Sequence, residues 1–204
     1  MKRIGLLLIA VIVAAAPLAE ARGKHEAKTA PGKYTEWGEA DIDEIEIVKP
    51  FRIADYETVA VVPFDTSKIE VKGDKAVIIQ GALDGYTAVF VEGLRDDLEN
   101  KSAKVQIVDK APKTAKTLVI RGAVEEIDPG SRAKRYVAGF GAGAARNKVS
   151  VELVDAKSGD VLARFTQAHR SAGTFKFAGG SDAQVLRDGT RAMGEDTAAV
   201  LNAF

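Results

Sequence analysis

The spacing of hydrophobic and polar positions changes repeatedly along this chain, and each change predicts an element. Ile4 to Ala16 is an apolar run interrupted by one glycine. Arg22 to Gly38 is polar, with little to bury, and reads as a loosely held leader. Asp41 to Ile53 mixes acids with Ile42, Ile45, Ile47, Val48, Phe51 and Ile53 and is broken by Pro50, which predicts a strand at a sheet edge. Thr58 to Phe64 is apolar nearly throughout, as a strand covered on both faces requires, so a central strand should end near Pro63.

Helical spacing follows. Ile79, Leu83, Tyr86, Phe90, Leu94 and Leu98 recur three or four apart, a stripe for one long helix that Asp74 can cap. Gly81 and Gly85 lie on that helix, where glycine costs about 1 kcal/mol unless close packing compensates. Packing against a sheet explains them; a helix-helix contact between copies is the alternative. Lys104 to Val108 and Thr117 to Ile127 are β-rich and separated by a loop with Pro112. Val149, Val151 and Leu153 alternate with polar residues, Asp155 to Asp160 turns the chain, and Val161, Ala163 and Phe165 alternate back, which predicts a hairpin. Ser181 with Gln184 forms a capping box before a final helix striped by Leu186, Met193, Thr197, Val200, Leu201 and Phe204. Strand, helix, several strands and helix give an α+β domain: a mainly antiparallel sheet with two longer helices on one face.

The amino terminus changes which residues count. Lys2 and Arg3 precede the 13-residue apolar run, Pro17 ends it, and Ala19-Glu20-Ala21 is a small-x-small cleavage signal. The run is shorter than the roughly 20 residues that span a bilayer, so residues 1–21 read as a cleaved signal peptide, 22–40 as a flexible leader and 41–204 as one domain. Cleavage would remove Lys2, Arg3 and Glu20 from 29 basic and 29 acidic residues, leaving a net charge near minus one. No global field then draws the chain to nucleic acid. With no cysteine there is neither a disulfide framework nor an acylation site, so a periplasmic protein that is not a lipoprotein is expected, held by its core alone.

The stretch from Gly130 to Lys148 is the candidate contact surface. Gly139, Gly141 and Ala144 satisfy G-x-G-x-x-A, but a dinucleotide site needs a strand before the motif and a helix after it. Here a basic segment precedes and a strand follows, so the glycines read as a connection between strands. Arg132, Lys134, Arg135, Arg146 and Lys148 bracket Tyr136 and Phe140, a cationic rim around an apolar tip suited to an anionic envelope surface or a partner protein.

Catalytic chemistry finds few residues. His25 and His169 are the two histidines, and one lies in the leader, so a two-histidine metal site has no place in the folded part. Asp41, Asp43, Glu44 and Glu46 cluster, but a calcium loop starting at Asp41 would need glycine and glutamate where Glu46 and Arg52 stand. Glu125 and Glu126, adjacent on a strand, should point to opposite faces. No catalytic residues and no cofactor are expected.

Three stretches carry a resemblance. Asp55 to Phe64, Gly130-Ser131-Arg132-Ala133 with Arg135-Tyr136 and Gly139-Phe140-Gly141-Ala142-Gly143, and Val154-Asp155-Ala156 with Gly159 and Val161-Leu162 resemble the bacterial domain of unknown function 4410. The resemblance spans about Phe51 to Phe204. It implies a cell-envelope protein of unassigned activity, with an element order similar to the amino-terminal domain of TolB. A non-enzymatic binding or assembly factor is the expected role. Two alternatives stand beside it: a hydrolase around His169, Asp155 and Asp160, and an envelope component that self-associates through the Gly81-Gly85 helix.

Overall fold

The computed structural model describes residues 27–35, 37, 38, 40–131, 143–170 and 181–204. The segment read as a signal peptide lies outside them. In chain order the elements are β1 (Gly32–Tyr34), β2 (Glu44–Ile47), β3 (Thr58–Val61), α1 (Ala76–Asp84), α2 (Tyr86–Asp97), β4 (Lys104–Ile107), β5 (Thr117–Asp128), β6 (Arg146–Asp155), β7 (Val161–Arg170) and α3 (Asp182–Asn202), with a 3-10 turn at Ile53–Asp55. The strands form one seven-stranded sheet in the order β1-β2-β7-β6-β5-β3-β4.

The fold is α+β, but the sheet is mixed. Strands β1, β2, β7, β6 and β5 pair antiparallel in series, whereas β3 runs parallel to both β5 and β4. This corrects the expected mainly antiparallel sheet. Its cause is the helical crossover between β3 and β4, which returns the chain to the end where β3 began. Strand β3 is buried between its two neighbours as its apolar sequence requires, with Val59, Ala60 and Val61 fully enclosed. The hairpin of β6 and β7 forms where the alternation places it, Gly159 taking a positive φ in the turn.

One face of the sheet carries the main core. Ile45, Val59, Val61, Leu118, Ile120, Val149, Val151, Leu153 and Phe165 meet Phe90, Leu94, Leu186, Met193 and Leu201 from the helices. The expected long helix is two: α1 and α2 meet at Gly85 with a 52° bend. Glycine lacks the side chain that would have stabilised helix through this point. Asp74 does not cap α1; its N-cap is Lys75, which offers no side-chain cap. At α3 the cap is as read, Ser181 Oγ accepting the Gln184 N–H at 3.2 Å, while the Gln184 amide turns instead to Asp188.

Within the chain, Gly81 and Gly85 do not serve close packing against the sheet. A Cβ on Gly81 would meet open space, and one on Gly85 only the Gly81 carbonyl at 3.7 Å. Close approach belongs to Gly93 and Gly194, at the crossing of α2 and α3. A Cβ there would lie 2.1 Å from the Arg191 carbonyl oxygen and 2.0 Å from that of Phe90. Arg187–Glu92 and Arg191–Asp96 ion pairs, each 2.6 Å, flank the crossing.

Part of the stretch read as a leader is ordered into the fold. Strand β1 pairs outside β2, so β2 is not the sheet edge. Trp37 is 2% exposed and its indole N–H donates to the Lys28 carbonyl. The apolar content overlooked in this polar stretch is Tyr34 and Trp37. Trp37 stacks on Phe204, which stacks in turn on Phe51, and the Ile53 N–H donates to the Phe204 carbonyl. The two ends of the described chain are thereby closed against each other.

Candidate functional site

The glycine-rich connection joins antiparallel neighbours. Strand β5 ends at Asp128, paired with Arg146 at the start of β6. At the base, the Gly130 N–H donates to Asp128 Oδ1 at 2.8 Å and the Ser131 N–H to the Gly143 carbonyl at 2.9 Å. Gly130 has φ +66°, and a Cβ there would sit 2.3 Å from the Gly143 oxygen, so glycine is required to close this neck. A strand, β6, begins just after the motif, as a connection demands and a phosphate cradle does not. Arg132, Lys134, Arg135, Tyr136 and Phe140 lie outside the described residues.

Arg146 and Lys148 are described, and both are paired. Arg146 lies 3.8 Å from Glu126, and Lys148 lies 3.5 Å from Glu125. The expectation that Glu125 and Glu126 face opposite ways is corrected by a register shift between Val124 and Glu126. The extra residue of such a bulge lets two consecutive side chains reach the same face. The basic side chains here are therefore balanced locally.

Beside this row is a cleft of about 480 Å³ lined by Asp41, Asp43, Arg146, Lys148, His169 and Arg170 among others. Burial pushes the Asp43 carboxyl up, against the opposing charges of Lys148 and Arg170. His169 rests on α3 at Gly189, where a Cβ would come within 2.9 Å of its ring. Asp155 and Asp160 stand at the other end of β7, roughly 25 Å away at strand rise. The grouping of His169 with those aspartates is not brought together. Asp155 instead accepts the Tyr56 hydroxyl at 3.2 Å, and Asp160 pairs with Lys49 at 2.7 Å. Among the described residues no group of three or more His, Asp or Glu is placed to hold a metal ion.

The open face of the sheet, opposite the helices, carries a second constellation. Arg121, Glu152, Arg164 and Glu46 stand side by side on β5, β6, β7 and β2. Glu152 receives Arg121 at 2.7 Å and Arg164 at 2.9 Å, and Arg164 reaches Glu46 at 3.5 Å. Partial burial pushes the Glu152 carboxyl up, but the two arginines outweigh it and hold it below the usual range. In the next row along the strands Ala123, Ser150 and Thr166 are small and Glu44 completes the row on β2, and with the charged row it lines a groove of about 580 Å³. The acids Glu44 and Glu46, part of the cluster noted in the sequence, belong to this face. Outward alternation on each strand was visible, but the register that aligns the four charges was not.

Two buried polar sites lie on the helical side. The Tyr86 hydroxyl, 1% exposed, donates to Asn147 Oδ1 at 3.1 Å, and the Asn147 amide donates to Thr190 Oγ1 at 2.9 Å. Asp196 on α3 accepts the Asp41 N–H at 3.0 Å and the Gln167 amide N–H, which leaves the buried Gln167 Oε1 without a partner. Burial pushes the Asp196 carboxyl up, the Asp41 N–H and the nearby His169 acting against it.

With this geometry in place, comparison with known families bears on the neck and hairpin. Residues 87–174 match the family described as "Domain of unknown function (DUF4410)". The DUF4410 match runs from α2 to just beyond β7, narrower than the Phe51 to Phe204 span of the resemblance, and includes the glycine-rich connection and the β6–β7 hairpin. No curated protein gives a significant match. Among solved structures, the chain is similar to PelC from Paraburkholderia phytofirmans, a dodecamer, at 20% identity and TM-score 0.48, over 74% of this chain and 95% of that one. It is also similar to lipoprotein GNA1162 from Neisseria meningitidis (14%, TM-score 0.38, 71% and 95%). A neuraminyllactose-binding hemagglutinin homolog from Helicobacter pylori is comparable (14%, TM-score 0.36, 75% and 87%). Likeness of this degree does not bear on what this chain binds or how it assembles.

Proposed function

We propose that this protein is an exported, periplasmic, non-enzymatic binding or assembly factor of the cell envelope, and that residues 132–142 make its contact. The observation that carries this reading is the closed neck: hydrogen bonds at Gly130 and Ser131 fix both roots of the segment at one end of the sheet. Arg132, Lys134 and Arg135 with Tyr136 and Phe140 supply charge and apolar surface for an anionic envelope partner. Arg146 and Lys148 are each paired with a glutamate, so the contact is assigned to residues 132–142 and not to the start of β6. The likeness of element order to the TolB amino-terminal domain belongs to this reading as analogy of fold.

Binding of the chain to envelope extracts should be lost in the double variant Arg132→Glu, Arg135→Glu, with the far-ultraviolet spectrum unchanged. Undiminished binding by that variant overturns the proposal.

A further inference from the structure

The row Arg121, Glu152, Arg164, Glu46 alternates in sign across four adjacent strands, and such a row is complementary to its own reverse. A two-fold axis parallel to the strands, lying between β6 and β7 in the space above the open face, would bring a second copy face to face with the first. Arg121 then faces Glu46 of the other copy, and Glu152 faces Arg164. An axis along the row would instead oppose like charges. From this geometry we infer that the open face of the sheet is the interface of a two-fold dimer of this chain, keyed by the alternating row.

The rest of the face fits that arrangement. All four side chains are accessible, Arg121 at 52%, Glu152 at 31%, Arg164 at 46% and Glu46 at 36%. Strands lie about 4.8 Å apart, so the charges are evenly spaced and the reversed row keeps register. By the same axis the adjoining short side chains of Ser150 and Thr166 face each other, and Glu44 faces Ala123, so the groove beside the charged row leaves Glu44 room opposite a small residue. Farther along the strands Arg146 would face Arg170. Aligned sheets cross at about 30°, which carries these distant ends apart, and Arg146 keeps Glu126 while Arg170 lies near Asp43. Matched charge of this kind fixes register and partner choice more than it adds affinity, so the dimer is weak and salt-sensitive. The inference is independent of what residues 132–142 bind.

Sedimentation velocity on the full chain tests it. The wild type should dimerise, and its Kd should rise about tenfold or more between about 0.05 M and about 0.5 M NaCl. Arg121→Glu alone sets a new carboxylate against Glu46 at both symmetric contacts, and Glu46→Arg alone sets a new guanidinium against Arg121 at both, so each variant should be monomeric. In an equimolar mixture the two variants should form a heterodimer through the contact at which both substitutions meet, where opposite charges face each other again in reversed order. The second contact of that heterodimer keeps the original Arg121 and Glu46. Circular dichroism identifies a variant that has failed to fold, and the pair Arg121→Gln and Glu46→Gln then replaces it, each expected to weaken the dimer by about tenfold. A wild type monomeric up to about 1 mM overturns the inference. So does a dimer insensitive to salt, single variants that dimerise like the wild type, or a mixture of folded variants that stays monomeric.

Discussion

Asp196 is a carboxyl whose surroundings favour its proton. Burial raises its pKa above the unfolded value, so its contribution to stability is fully present below about pH 3.9 and is lost as pH rises through the folded, raised value. Asp196→Asn keeps an oxygen for the Asp41 N–H, and its new amide can donate to Gln167 Oε1 once the Gln167 amide turns over. Urea unfolding at pH 4 and pH 7 should therefore show the variant gaining on the wild type as pH rises. Equal differences at the two pH values would remove Asp196 from this role. Tyr86→Phe makes the opposite kind of change, deleting the donor to a buried Asn147 oxygen. A loss of about 1–3 kcal/mol is expected by chemical denaturation, the cost of a buried acceptor left unpaired. Neither site was legible in the sequence, because Asp196, Gln167 and Asp41 come from three distant segments and no spacing rule joins them.

Element boundaries were readable where a local signal existed. Ser181 announced α3, and alternation announced the β6–β7 hairpin. Gly81 and Gly85 were expected to press on the sheet, but one-turn spacing on an apolar stripe marks close packing within the chain only where a partner backbone lies. That partner is absent at Gly81 and present at Gly93 and Gly194. Thermal or urea unfolding should separate the two kinds of position. Gly194→Ala drives a methyl into the Phe90 carbonyl and should cost about 3 kcal/mol or more. Gly81→Ala enters open space in a helix interior and should stabilise by about 0.5–1 kcal/mol. The bulge at Glu125 was invisible for a related reason: its one-residue shift exists only relative to β6, not within β5.

For the whole molecule, class and strand content could be read, while strand order and direction could not. The unbroken apolar run at Thr58 to Val61 did signal a strand with neighbours on both sides, and such runs are characteristic of parallel pairing. That both neighbours are parallel follows only from where the crossover lands. The open-face charge row arises in the same way, from four strands brought into order by pairing. That pairing also constrains when the protein can form. Strand β2 has β7 as its inner neighbour, more than a hundred residues later, and the aromatic stack around Trp37 waits for Phe204. A nascent chain that has delivered β1 to β6 still lacks the strand that receives its first hairpin and the helix that roofs its core. It therefore has no foldable amino-terminal unit until β7 and α3 have also been made.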